Sequence, residues 1–489
     1  MDFKIRTTKT NSGSTAVQIV NYVKRKTNVL KHIGSANNPT ELAILKNKAR
    51  DWILNEQNRN SLFRVNFNEE DTFNKTYKYH NVKLTFAHEF LGKIYDKFNF
   101  HEHTNKLIKN LTIAQILEPG SKRGNALFLE EKMGIKLHLT NIYEWIIKDN
   151  HDLKDSLEKE AIEIAKKEFN FDFSFVLYDV TTLYFESFKN DEFKRPGFSK
   201  DHKHNQPQIV IGLMVTKEGF PVHYEVFKGN TFEGNTFIPI ILDFKNKHEI
   251  DSLTVVADSA MFSKINLSSL KDNKINYIVG ARLLNQKKEI LDQIETSIEK
   301  VHESSIRIDD LIVEYSSLRY AKDKREMEKQ IERAKQYENI KTSKITKLKF
   351  LKNDKTKYFV DQDLIGKNTK LLGLKGYVTN LKLPNSEIIN YYHNLFKVEH
   401  AFRISKSDLE IRPIYHYKEN SIKSHILICF MCLAISVYLE LKTKFSIKEI
   451  VHQIKNVTDV QIESRITRKV ISVRSELSTQ VKELIKLSY

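Results

Sequence analysis

Between Phe171 and Phe185 the chain reads FDFSFVLYDVTTLYF, a run dense in aromatic and β-branched side chains with a carboxylate, Asp179, in its middle. Such a run fits a buried strand. A carboxylate inside it is costly to bury unless it is paired or binds a cation. Two further strands are expected at Ile209–Val215 and Val222–Phe227, joined by the turn Lys217-Glu218-Gly219. Asn235–Phe244 has helical spacing, and Leu253–Ala257 is a short apolar strand ending at a second carboxylate, Asp258. A helix and the strand Tyr277–Gly280 follow. This order describes an α/β fold with a mixed sheet and flanking helices. Carboxylates that bind ligands in open α/β sheets tend to sit at strand C-termini. Two on neighbouring strands make a hard-oxygen site suited to Mg²⁺ or Mn²⁺. Taken singly, each also reads as a capping or turn aspartate.

At 489 residues the chain is too long for one core, so two to four domains are expected. Residues 1–170 read as a small β-meander over Phe3, Ile5, Ala16–Val23 and Val29–Ile33, then helices. Residues 171–284 begin the mixed sheet. Residues 285–375 interrupt its rhythm, with a charge-laced helix within Leu318–Phe350 flanked by strand-like pieces at Ile306–Tyr315 and Tyr377–Leu381. Residues 376–445 resume the core with a long helix, Glu387–Leu409, and residues 446–489 form a basic amphipathic tail.

Lys and Arg total 79 against 62 Asp and Glu, a net charge of +17. Nucleic acid is the commonest polyanion that rewards such an excess, because bound Lys and Arg release counterions from phosphates. The two cysteines, Cys429 and Cys432, exclude a disulfide scaffold and point to a reducing compartment. They lie in the apolar run Ile426–Leu439, which is shorter than the ~20 residues that span a bilayer and reads as a buried helix. The polar N-terminus lacks an apolar segment of the secretory kind. A cytoplasmic, nucleoid-associated protein with no membrane partner is expected.

A third carboxylate lies in the helix expected at Tyr391–Ser407. Tyr392, Leu395, Glu399, Phe402, Arg403 and Lys406 fall on one face at 3.6 residues per turn. That face mixes apolar, acidic and basic groups, although Glu399 and Arg403 also suit a simple i,i+4 ion pair.

Four blocks in order resemble the DDE transposases of bacterial insertion sequences, in the IS-four superfamily. They are LYDVTTLYFES around Asp179, GFSKDHKHNQPQIVIGLMVTKEGFPVHYEVFKGNT, VVADSAMFS around Asp258, and YYHNLFKVEHAFRISKSDLEIRPIYH around Glu399. The superfamily's signature Tyr-x2-Arg-x3-Glu-x6-Lys is matched by Tyr392, Glu399 and Lys406, whereas Leu395 stands at the Arg position. Lys397 is a neighbouring candidate for the missing charge. The insertion falls between the second and third carboxylates, where these proteins carry a β-rich one. The first 170 residues resemble the N-terminal region of one branch, including Glu118-Pro119-Gly120-Ser121-Lys122.

The resemblance implies a ribonuclease-H-like core in which Asp179, Asp258 and Glu399 hold two Mg²⁺ or Mn²⁺ ions for phosphoryl transfer on DNA. It implies double-stranded DNA partners, the terminal inverted repeats and the target, and a homodimer on DNA. Tyr392, Arg403 and Lys406 are the expected phosphate contacts, and Lys200, His202 and Lys203 form a basic loop suited to the DNA backbone. Some relatives stack a flipped base on an aromatic ring; Phe396, Tyr315 and Tyr320 are the candidates here, and no hairpin pathway is inferred. The competing readings are a related two-metal nuclease and a decayed or domesticated DNA-binding protein.

Overall fold

The computed structural model describes residues 3–11, 13–23, 26–59, 73–74, 76–186, 189–198, 205–261, 263–338, 348–353 and 358–488, and these fall into two compact units. The first comprises Met1–His80 and Ile462–Ile471. Here β1 (Lys4–Lys9), β2 (Thr15–Val23) and β3 (Lys26–Ala36) form an antiparallel meander. Helix α1 (Pro39–Arg59) sets Leu42, Leu45, Ala49 and Trp52 against Val17 and Ile19. The 3, 4, 3 spacing of those four residues puts them on one helical face.

The second unit comprises Asn81–Gln461 and Ser472–Tyr489. Strand β4 (Tyr77–Lys83) carries the chain into it. Helices α2 (Thr85–Lys97), α3 (Lys106–Leu117), α4 (Lys122–Met133) and α5 (His151–Phe169) belong to this second unit and share its core with the sheet, although the sequence groups them with the meander.

The sheet opens with an antiparallel meander of β5 (Phe175–Tyr184), β6 (Gln208–Val215) and β7 (Pro221–Lys228). After α6 (Glu233–Lys247), β8 (Thr254–Ala257) pairs parallel to β5. After α7 (Lys264–Asp272), β9 (Asn276–Ala281) pairs parallel to β8. A helix seals each parallel crossover, as such connections require. Ile306–Tyr315, expected as one strand, is a hairpin of β10 (Ser305–Ile308) and β11 (Leu311–Tyr315). Its turn uses Asp309 at φ 51°, a left-handed conformation that aspartate tolerates. Helix α8 (Ser317–Lys335), the hairpin β12 (Leu351–Asn353) and β13 (Tyr358–Val360), and α9 (Gln362–Lys370) follow. Ala334, Phe350 and Val360 give α8 and this hairpin a small core of their own. Strand β14 (Leu374–Thr379) then returns to the sheet, whose full order is β10-β11-β14-β9-β8-β5-β6-β7. The protein is thus a mixed α/β fold with one eight-stranded sheet.

The expected long helix Glu387–Leu409 is broken. Helix α10 (Asn385–His393) stops, and α11 (Phe396–Arg403) resumes two residues later. At the break Leu395 N–H bonds to the Tyr392 carbonyl at 3.0 Å and Lys397 N–H to the Asn394 carbonyl at 2.9 Å. These i→i−3 bonds tighten the winding locally. Beyond Arg403 the turn widens, with Leu409 N–H reaching back five residues to the Ile404 carbonyl at 2.9 Å. Helix α12 (Glu419–Thr443) is long and apolar enough to cross a membrane, but 94% of its most apolar stretch is buried inside the unit. Cys429 and Cys432 are free thiols packed within it. The tail also holds two strands that the sequence reading missed, Asp459–Ser464 and Val470–Arg474.

A buried charge cluster ties α5 to the sheet. Glu158 accepts the Tyr224 N–H at 3.1 Å, meets His223 Nδ1 at 3.1 Å, and takes a hydrogen bond from Lys247 of α6 at 2.9 Å. Burial opposes its ionisation, but His223, Lys154 and Lys247 together hold its carboxyl far below the usual range.

Candidate active site

Pairing register lines up one row of residues across four strands. Tyr178 pairs with Ala257, and Ala257 with Val279, so the next position on each strand is Asp179, Asp258 and Gly280 in turn. Tyr377 of β14 pairs with Gly280 and extends the row. Residues in register on parallel strands project to the same face, with strands about 4.8 Å apart. Asp179 and Asp258 are therefore neighbours on one face. Along β5, only Asp179 and the last residue, Tyr184, escape full burial. Asp258 lies just past the end of β8, where it is exposed.

Gly280 leaves a gap in this row, and Tyr392 of α10 fills it. A Cβ on Gly280 would lie 2.6 Å from the Tyr392 hydroxyl oxygen. That hydroxyl donates to Asp258 Oδ1 at 3.1 Å, and the Ser259 N–H donates to the same oxygen at 2.6 Å. The Tyr392 ring is buried beside the Tyr377 ring, with centroids 4.7 Å apart. Burial first, then the charges of Asp258, Asp179 and Glu399, push the Tyr392 hydroxyl far above its ordinary pKa. It stays a donor at any working pH.

Behind the row sits a second layer. Tyr377 donates to Glu314 Oε2 at 2.7 Å, and His393 Nε2 lies 3.5 Å from that oxygen. Burial works against the Glu314 charge, but the contacts from His393 and Tyr377, with Lys375 nearby, hold its pKa low. The Lys375 ammonium stands 4.6 Å from the centroid of the Tyr392 ring. A cleft of about 540 Å³ opens from Asp258 and Tyr392 toward α8 and α9, and Arg282, Arg319, Lys349 and Lys375 line it.

The break between α10 and α11 separates the residues expected on one face. Tyr392, Leu395 and Phe402 are buried, whereas Glu399 and Arg403 are exposed. Helix α11 lies over β5, which brings Glu399 to the Asp179 side of the sheet. Lys406, in the widened turn, lines a small cavity with Thr181 and Leu183, which share Asp179's face of β5. Arg403 is turned elsewhere: its guanidinium donates to His400 Nδ1 at 2.7 Å, and His400 Nε2 donates to Glu440 at 2.9 Å. Lys397 donates to the Lys217 carbonyl at 2.6 Å, beside the β6–β7 turn, and does not replace the charge missing at Leu395. Of the aromatic candidates, Phe396 is exposed, Tyr320 half-buried and Tyr315 buried. Lys200, His202 and Lys203 lie outside the described residues.

Among the described residues no three His, Cys, Asp or Glu side chains close into a ready-made metal cage. Mg²⁺ does not demand one, since it binds through one or two carboxylates plus water and substrate phosphates. Two aspartates in register, with a glutamate's charge in the same neighbourhood, fit that demand. Sequence reasoning missed Gly280, Ser259, Lys375, Tyr377 and Glu314. The only local signal was Gly280 inside an apolar strand, which often marks a close approach.

An α/β protein with carboxylates gathered beside a cleft lined by Arg282, Arg319, Lys349 and Lys375, together with Asp323 and Glu326, is the class that the fold and site define. The family model described as Transposase DDE domain matches residues 170–435, more than half of the chain, and the chain belongs to that family. Among solved structures the chain is similar to the piggyBac transposase synaptic complex with hairpin DNA, at 9% identity over 76% of this chain and 78% of that one, with a TM-score of 0.35. It is also similar to the Mos1 transposase paired-end complex with left transposon end, at 14% identity over 39% of this chain and 57% of that one, with a TM-score of 0.16. No curated protein matches the chain.

Proposed function

We propose that the chain is a DNA transposase of the IS-four superfamily, which cuts the ends of its element and joins them to target DNA at a centre formed by Asp179, Asp258 and Glu399. One observation carries this reading. Asp179 and Asp258 follow paired positions on adjacent parallel strands, and α11, which carries Glu399, packs against the first of those strands. The strand order supports a ribonuclease-H-like core, with an antiparallel meander and then two parallel strands beside its first strand.

Asp179, Asp258 and Glu399 are the residues that would hold two Mg²⁺ or Mn²⁺ ions. When bound, such ions activate the attacking oxygen and stabilise the leaving 3′ oxygen of an in-line displacement at phosphorus. The protein's own part is positioning. Tyr392 and the Ser259 N–H both bond to Oδ1 of Asp258, fixing the carboxylate that would hold a cation. Tyr377 and Lys375 pack the Tyr392 ring in place. The net charge of +17 suits double-stranded DNA, with terminal repeats read by residues 1–170 and two ends held by a homodimer.

The test is Asp179→Asn, Asp258→Asn and Glu399→Gln, each assayed on duplexes carrying the element's ends. Each variant is expected to lose cleavage and strand transfer while binding ends nearly as wild type does. Full activity in any of them removes the assignment. Wild-type protein that hydrolyses ends without ever joining them to target DNA would make it a nuclease.

A further inference from the structure

We propose that Lys375 and Arg319 form the phosphodiester subsite of this centre, in place of the cation that the family signature carries at position 395. The inference rests on the reading of Asp179, Asp258 and Glu399 as the catalytic carboxylates. Leu395 is 6% exposed and belongs to the main core, and the Lys397 ammonium is bound to the Lys217 carbonyl. No cation therefore reaches the carboxylates from the 395–397 segment.

The charge comes from the other side of the row. Lys375 lies two residues before Tyr377 on β14, so both project to the same face. Its ammonium rests over the ring whose hydroxyl holds Asp258, and among the described residues it makes no ion pair. Arg319, in the first turn of α8, lines the same cleft. Its Nε lies 3.3 Å from Asp323 Oδ2, which engages one of five guanidinium donors and holds the group at the cleft wall. The two cations are near enough to repel. Burial first, then the charge of Arg319, lowers the Lys375 pKa, against the pull of Asp258, Glu314 and Glu399. An anion between the two cations removes that repulsion. A backbone phosphate lying across Asp258 would meet the carboxylate centre on one side and this pair on the other.

The experiment uses the full chain and duplexes carrying the element's ends. Single-turnover cleavage is measured with Mg²⁺, and end binding is titrated against salt without divalent metal, for Lys375→Met, Lys375→Arg and Arg319→Gln. Lys375→Met keeps the buried stem and removes the charge. It is expected to cleave about 10²–10³-fold more slowly, as when one preorganised donor to a developing anion is lost. The slope of log affinity against log salt should fall in magnitude by about 0.9, the share of one phosphate contact. A purely structural lysine would leave that slope unchanged. Lys375→Arg should restore the slope and bring cleavage to within about tenfold of wild type, one decade being 1.4 kcal/mol. Arg319→Gln should lower the slope by a similar amount.

Wild-type cleavage and slope in Lys375→Met overturn the subsite, as does a Lys375→Arg variant no better than Lys375→Met. Asp258→Asn in the same assay separates the two levels. If it cleaves, the reading of the centre itself fails. If it is inactive while Lys375→Met is active, the subsite alone fails.

Discussion

Gly280→Ala places one methyl group hard against the Tyr392 hydroxyl. The added Cβ would lie 2.6 Å from that oxygen and 3.1 Å from the Ser259 nitrogen. Ordinary contact begins at 3.4 Å, so the hydroxyl must retreat by about 0.8 Å. Its 3.1 Å bond to Asp258 would then stretch past useful length. Hydrogen bonds to charged groups are worth about 1.5–3 kcal/mol. A ~1 Å misplacement of a catalytic group costs roughly 10²-fold in rate. Gly280 is extended and not at positive φ, so alanine adds no backbone strain there. The expected result is ~10²-fold slower single-turnover cleavage, with end binding within about threefold of wild type. Tyr392→Phe supplies the control, because it removes the atom that the methyl meets. If Gly280 acts by making room for the hydroxyl, Gly280→Ala adds little in the Tyr392→Phe background. The cycle should then show a coupling of about 1.5–3 kcal/mol. Two single effects that simply multiply in the double variant would refute the reasoning and move the role of Gly280 to Ser259.

Restoring the signature arginine by Leu395→Arg should lower stability by roughly 2–4 kcal/mol without raising activity, because Leu395 is buried in the main core and a guanidinium there lacks a partner. An unchanged melting temperature would refute this. Stability should also fall as pH drops from about 6.5 to 4. Burial first, then Lys122, lowers His416 to about 4, and burial first, then Lys247 and His223, lowers His248 to about 4. Both stay neutral in the fold while the unfolded chain takes up protons through that window, so protonation favours unfolding. A melting temperature flat across the window would count against both, and His416→Asn should flatten part of the decline. End binding should weaken steeply with salt, each phosphate contact adding about −0.9 to the slope, and a shallow dependence would contradict the role given to the +17 charge.

Asp179 and Asp258 were legible in the sequence because each breaks or ends an apolar run, and a buried-strand carboxylate asks for an explanation. That they share neighbouring strands was expected, but the register that sets them side by side was not legible. It depends on β8 inserting between β5 and β9 in parallel, a pairing set by α6 and α7 rather than by any local pattern. The helix break at Asn394 was hidden for a different reason. Apolar spacing runs unbroken from Tyr391 to Ser407 with no Gly or Pro to mark the change, which lies in backbone bonds alone. It alters what the third motif means. On one straight helix, Tyr392, Arg403 and Lys406 read as a single phosphate-binding face with Glu399. In the fold Tyr392 commits its hydroxyl to Asp258, Arg403 leans on His400, and Lys406 sits farther along β5 by Thr181. Handling of the phosphate beside Asp258 then falls to residues that no spacing rule connects to Glu399. Lys375 and Arg319 reach the site only because β14 pairs with β9 and α8 borders the same cleft. The two aspartates could be found one strand at a time, whereas the groups packed around them exist as a set only once the sheet is assembled.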